Sequence, residues 1–175
     1  MTMTLFPLRR AALLATGLAL LTLHVGCSPY PYANIPPLQG DVARHNIDAN
    51  SIRTIVVPAV KAVVAQEPPD GPYVVELPQS AEKLTYPAIL PRIGDNANPP
   101  FAEGLPEDAP VYEVTSIRIR GFDGQVDVVR PGSYGGRQLV TVYLRNPPFA
   151  DWTVQRVRVW RGPVDASPPA PAPSP

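Results

Sequence analysis

Four stretches near the C-terminal end decide the fold: Val111-Tyr-Glu-Val-Thr-Ser-Ile-Arg-Ile-Arg120, Gln125-Val-Asp-Val-Val-Arg130, Arg137-Gln-Leu-Val-Thr-Val-Tyr-Leu-Arg145 and Trp152-Thr-Val-Gln-Arg-Val-Arg-Val-Trp-Arg161. Each is rich in β-branched and aromatic residues and alternates apolar with polar side chains, the period of a half-buried strand. The connections are Gly121-Phe-Asp-Gly124, where Asp-Gly is a hairpin signal, then Pro131 to Gly136, and Asn146 to Asp151. Short connections make neighbouring strands antiparallel, so a four-stranded meander is expected. Its two outer strands change phase part-way. Tyr112 and Val114 share one face while Ile117 and Ile119 fall in the opposite phase, and Trp152 and Val154 are followed by Val157 and Val159. A shift by three in a period of two requires a bulge or a change of buried face, which predicts a bent sheet.

Upstream, Ile52 to Ala65 places Ile52, Ile55, Val56, Ala59, Val60, Val63 and Val64 along one helical stripe, with Asn50 or Ser51 as a cap. Pro58 and the abundance of valine keep a strand–turn–strand open as the competitor. Tyr73 to Leu77 reads as a short strand. Ser80 to Arg92 reads as a short helix with Tyr86, Ile89, Leu90 and Ile93 on one side. Gly94 to Pro110 reads as a long loop, a length at which loops are often functional. The expected class is therefore α+β, a bent antiparallel meander with one or two short helices on one face. The order helix, strand, helix and four antiparallel strands resembles the nuclear-transport-factor-2-like superfamily, whose cone-shaped fold implies a pocket for a small molecule or a substrate.

The N-terminal end carries an address. Arg9 and Arg10 precede a 15-residue, mostly apolar run, Ala11 to Val25. That is shorter than the ~20 residues that span a bilayer, so it reads as an export signal, with the general secretory and twin-arginine routes both open. The run ends Leu23-His24-Val25-Gly26-Cys27. It resembles a bacterial lipobox, which departs here only in having His24 where an aliphatic residue is usual. The resemblance implies cleavage after Gly26 and acyl chains on Cys27, and so a bacterial envelope lipoprotein partnered with a membrane. Ser28, where an aspartate would favour inner-membrane retention, points to the outer membrane facing the periplasm. Cys27 is the sole cysteine, so no internal disulfide can form.

The resulting plan has four parts: a signal peptide over 1–26, a Pro/Tyr-rich tether over 27–40, a domain over 41–163 and a proline-rich tail over 164–175. Alternating prolines hold the tether near polyproline II, and the tail is low in complexity. The 25 prolines of the 175 residues cluster at the ends and in the connections, which spares the strands. Overall charge is zero, but it is polarised along the chain: Asp41 to Glu113 is acidic, and Arg118 to Arg161 is basic.

No catalytic constellation is found. Without residues 1–26 the only histidine is His45, so histidine triads and multi-histidine metal sites are excluded. Asp95-Asn-Ala-Asn98 lacks the glycine and glutamate of a calcium loop and reads as a turn. Asp123 belongs to a turn, and Asp127 alternates outward into solvent. No metal or cofactor is implied. The candidate binding feature is a row of arginines opposite the valine face: Arg118 and Arg120 with Arg156 and Arg158, and Arg130 or Arg137 nearby. These could hold an anionic lipid, an anionic envelope polymer or another envelope protein. The near-neutral domain has no basic-aromatic platform, which argues against nucleic acid. The expected role is non-enzymatic interaction or structure; the alternative is a binding domain or enzyme with a cone-shaped pocket.

Overall fold

The computed structural model describes residues 32–37, 46–78, 81–132 and 136–164; residues 1–31, Gly26, Cys27 and the expected signal among them, His45 and residues 165–175 lie outside this set. In chain order the elements are β1 (Ala33–Ile35), α1 (Asn50–Val64), β2 (Tyr73–Glu76), a 3-10 turn (Lys83–Thr85), α2 (Tyr86–Ile93), β3 (Ala97–Asn98), β4 (Val111–Arg120), β5 (Asp123–Pro131), β6 (Arg137–Arg145) and β7 (Thr153–Pro163). The class is α+β. The sheet, however, has seven strands and is mixed, in the order β3-β2-β4-β5-β6-β7 with β1 also on β4. The four-stranded meander is β4–β7, one part of it.

The additional strands were hidden for physical reasons. β2 runs parallel to β4, and a parallel partner needs a long crossover, here the segment through α2. β3 has two residues inside the long loop. β1 lies within the expected tether, yet Ala33, Asn34 and Ile35 are buried and pair antiparallel with Ile119, Arg118 and Ile117. The folded unit therefore begins by Ala33, not at Asp41. β1 and β2 sit in tandem on the same edge of β4 and run towards each other.

Both phase shifts are bulges. In β4 the register with β5 slips between Val114 and Ser116, and in the β6–β7 ladder it slips between Tyr143 and Leu144. Each slip returns the apolar residues that follow it to the core face. The first hairpin turns at Gly121-Phe122, with Gly121 at φ 61°, while Asp123 and Gly124 already pair with Arg120 and Ile119. The expected Asp-Gly turn is thus two residues late: only glycine takes a positive φ without strain, and Gly121 comes first.

α1 is a helix despite Pro58, because its stripe outweighs the proline. Ile52, Ile55, Val56, Ala59, Val60 and Val63 are fully buried against β4–β7. Each such Ile or Val stabilises by roughly 1.5–3 kcal/mol, against about 3 kcal/mol for an interior proline. Neither Asn50 nor Ser51 caps it; Ala49 is the cap residue, with no side-chain bond. Asp48 fixes this end instead. Its Oδ1 accepts from Glu82 N at 3.2 Å and from the Thr85 hydroxyl, and its carbonyl accepts from Arg53 Nε at 2.6 Å. α2 buries Tyr86, Ile89, Leu90 and Ile93, the four residues its spacing predicts.

Candidate functional site

With α1 on one side of β4–β7, the other side of the sheet carries the polar half of each alternation. Arg118 and Arg120 from β4 and Arg156 and Arg158 from β7 all lie there and are exposed. They do not form one cluster. β5 and β6 intervene, which puts the two pairs three strand spacings, about 14 Å, apart.

Each pair has its own setting. Arg156 stacks over Tyr143 at 4.3 Å and Arg158 over Trp160 at 3.7 Å. Guanidinium planes held on rings leave their N–H edges directed outward, the geometry that meets carboxylates or phosphates. Arg118 lies 3.4 Å from Asp127 Oδ2, and Arg120 stacks over Tyr32 at 5.3 Å. Of the two neighbours expected nearby, Arg137 is on this face but pairs with Glu113. Arg130 is not in the patch. It stands on the core face, 4% exposed, between Glu67 Oε1 at 3.3 Å and Gln138 Oε1 at 3.2 Å.

Asp127 does alternate outward, but it is not solvated. It is 8% exposed, at the middle of the sheet. Ser116 Oγ donates to it at 2.9 Å, Thr141 Oγ1 at 2.6 Å and Gln125 Nε2 at 3.3 Å. Trp160 Nε1 donates to Thr141 at 2.9 Å, which extends the chain of bonds from β4 across to β7. This network is structural: it satisfies a carboxylate that the sheet has closed over. Asp123, the other carboxylate of β5, faces Arg145 at 3.9 Å and is exposed. Asp95 and Asn96 form a turn closed by Ala97 N donating to the Gly94 carbonyl at 3.2 Å, and Asn98 Nδ2 donates to the Asn96 carbonyl at 2.8 Å; Ala97 and Asn98 already belong to β3.

A cleft of about 390 Å³ opens where β1 and β2 leave the edge of β4, lined by Ile35, Pro36, Leu77, Pro78 and Val114 among others. Among the described residues, no group of three or more His, Cys, Asp or Glu side chains is placed to hold a metal ion. No described helix is long and apolar enough to cross a membrane. No family model, curated protein or solved structure matches this chain.

Spacing along a strand locates the arginines. It does not reveal Asp127 as the centre of a network, because its donors come from three strands. Nor does it reveal a group of exposed aromatics at one end of the sheet: Tyr32, just before β1, and Phe122 and Phe149, from two separate connections.

Proposed function

We propose that this chain is a lipid-anchored protein of the bacterial envelope, cut after Gly26 and acylated on Cys27, whose α+β domain serves interaction or structure rather than catalysis. The anchor rests on the lipobox-like run before the sole cysteine. Two or three acyl chains, at about 0.8 kcal/mol per buried CH₂, make such anchoring effectively stable.

The observation that supports a non-catalytic domain is the filled space between α1 and the sheet. A nuclear-transport-factor-2-like pocket would have to open there, near Tyr112 and Trp152. Both rings are buried: Tyr112 packs edge-on against Tyr73 with centroids 5.4 Å apart, and Trp152 lies over Gly124. The stripe of α1 occupies the remainder. What the domain offers a partner lies outside, in the stacked arginines of β7 and the row on β4, which suit an anionic polymer, lipid or protein surface.

The test is the intact mass of the protein, extracted gently from its native membrane. A chain beginning at Cys27 with added acyl mass is expected, and Cys27→Ala should leave the unprocessed chain without it. A chain cut elsewhere, or unacylated, rules the anchor out. A small molecule retained by the folded protein would favour the pocket reading.

A further inference from the structure

One end of the sheet gathers the close of β4, the turn into β5, the close of β6, the loop into β7 and the start of β1. Three aromatic rings stand at this end. Tyr32 is 47% exposed, Phe122 is 37% exposed and Phe149 is wholly exposed. Phe149 holds φ 63°, a conformation disfavoured for any residue with a Cβ. Its loop is held in place: Asn146 N donates to the Phe122 carbonyl at 2.8 Å, and Ala150 N donates to the Pro147 carbonyl at 3.1 Å. The loop thus presents its ring outward from a secured base, and the ring's exposure contributes nothing to the core. Arg120 and Arg145 flank the same end, both exposed.

We propose that this end rests on the phospholipid bilayer that holds Cys27, with Phe149, Phe122 and Tyr32 at the lipid–water interface; this rests on the lipid-anchor reading above. The argument is one of chain length. Because β1 begins at Ala33, only five residue steps separate Cys27 from Tyr32. Fully extended, they reach at most about 18 Å. The end that carries Tyr32 therefore cannot stand far from the membrane, whatever path those residues take. Aromatic side chains favour the interfacial zone, and arginine guanidinium groups meet lipid phosphates with paired N–H donors. The tether holds the domain against the membrane in one orientation instead of raising it away.

The test uses the full lipidated chain in vesicles of phosphatidylethanolamine and phosphatidylglycerol, with brominated phospholipid as a contact quencher. Phe149→Trp reports on the proposed contact. Val111→Trp, at the start of β4, reports on the opposite end. Each is read as a difference from the unsubstituted chain, which already contains Trp152 and Trp160. Expected is loss of most of the added emission for Phe149→Trp and none for Val111→Trp. Unquenched emission from both, or equal quenching of both, overturns the proposal. Thermal unfolding without vesicles should be unchanged for Phe149→Trp, since that side chain lies wholly outside the fold. If intact mass shows no acyl group, the same experiment is run with Cys27 coupled to a maleimide phospholipid, so loss of the anchor reading and loss of the docking reading remain separate results.

Discussion

At Gly124 the backbone of β5 passes directly beneath α1. A Cβ placed there would lie 2.2 Å from Ile55 Cδ1 and 2.9 Å from Trp152 Cζ3. Both side chains are enclosed by the core, so neither can swing clear. Gly124→Ala is expected to lower stability by about 1–3 kcal/mol, the usual cost of overpacking, measured from the midpoint of denaturant unfolding. Asp127→Ala should cost about 2 kcal/mol by the same measurement, because the hydroxyls of Ser116 and Thr141 lose a charged acceptor. Alternation along β5 shows which way Asp127 points. Its burial follows from the β4 bulge, which brings Ser116 opposite it, and that pairing is a tertiary fact.

At the scale of elements, β7 is the exposed edge. It is eleven residues long, and among the described residues it pairs only with β6. Such an edge invites pairing with another chain, and positive charge is one way to prevent it. If two β7 strands met antiparallel about Val157, Arg156 of one would oppose Arg158 of the other, on the same face. The double variant Arg156→Val, Arg158→Val should therefore self-associate at concentrations where the parent chain stays monodisperse, as sedimentation velocity would show. Self-association at the parent's level would remove this role from the two arginines. The bulges of β4 and β7 were legible because a valine or isoleucine out of phase is visible in one line of sequence. α1 was legible through its stripe, although Pro58 obscured it. β1 was not, because three residues before a pair of prolines carry too little alternation to show a period.

For the whole molecule, the acidic and basic halves of the chain are joined at Arg130–Glu67 and Arg137–Glu113, whereas Arg118–Asp127 and Arg145–Asp123 lie within the basic half. Buried phenols set a limit on stability at high pH. Burial raises the Tyr73, Tyr86 and Tyr112 hydroxyls above their ordinary value; the Leu77 N–H lowers Tyr86 in part, and Arg130 lowers Tyr112. Unfolded, these groups lose protons near pH 10 while the folded chain still keeps them. The native state then binds more protons, so stability is full below that pH and falls as pH rises through the raised values. The unfolding midpoint should hold between pH 7 and 9 and decline above about pH 10. The arginine rows of the candidate site were readable from strand period alone. The aromatic end was not, since Tyr32 precedes β1 while Phe122 and Phe149 lie in two separate turns, and only the folded sheet brings them to one end.

The pairing of β1 with β4 also sets a timetable. Ala33 cannot find Ile119 until β4 has emerged, because its partner strand lies far downstream. Closing so large a loop carries an entropic cost that local hairpins avoid, so the β4–β7 hairpins can assemble first and β1 joins late. If the chain is held at Cys27 as proposed, the link between that residue and the folded domain would thus be completed last. Only when β1 locks onto β4 would the molecule be drawn down to its final distance from the membrane.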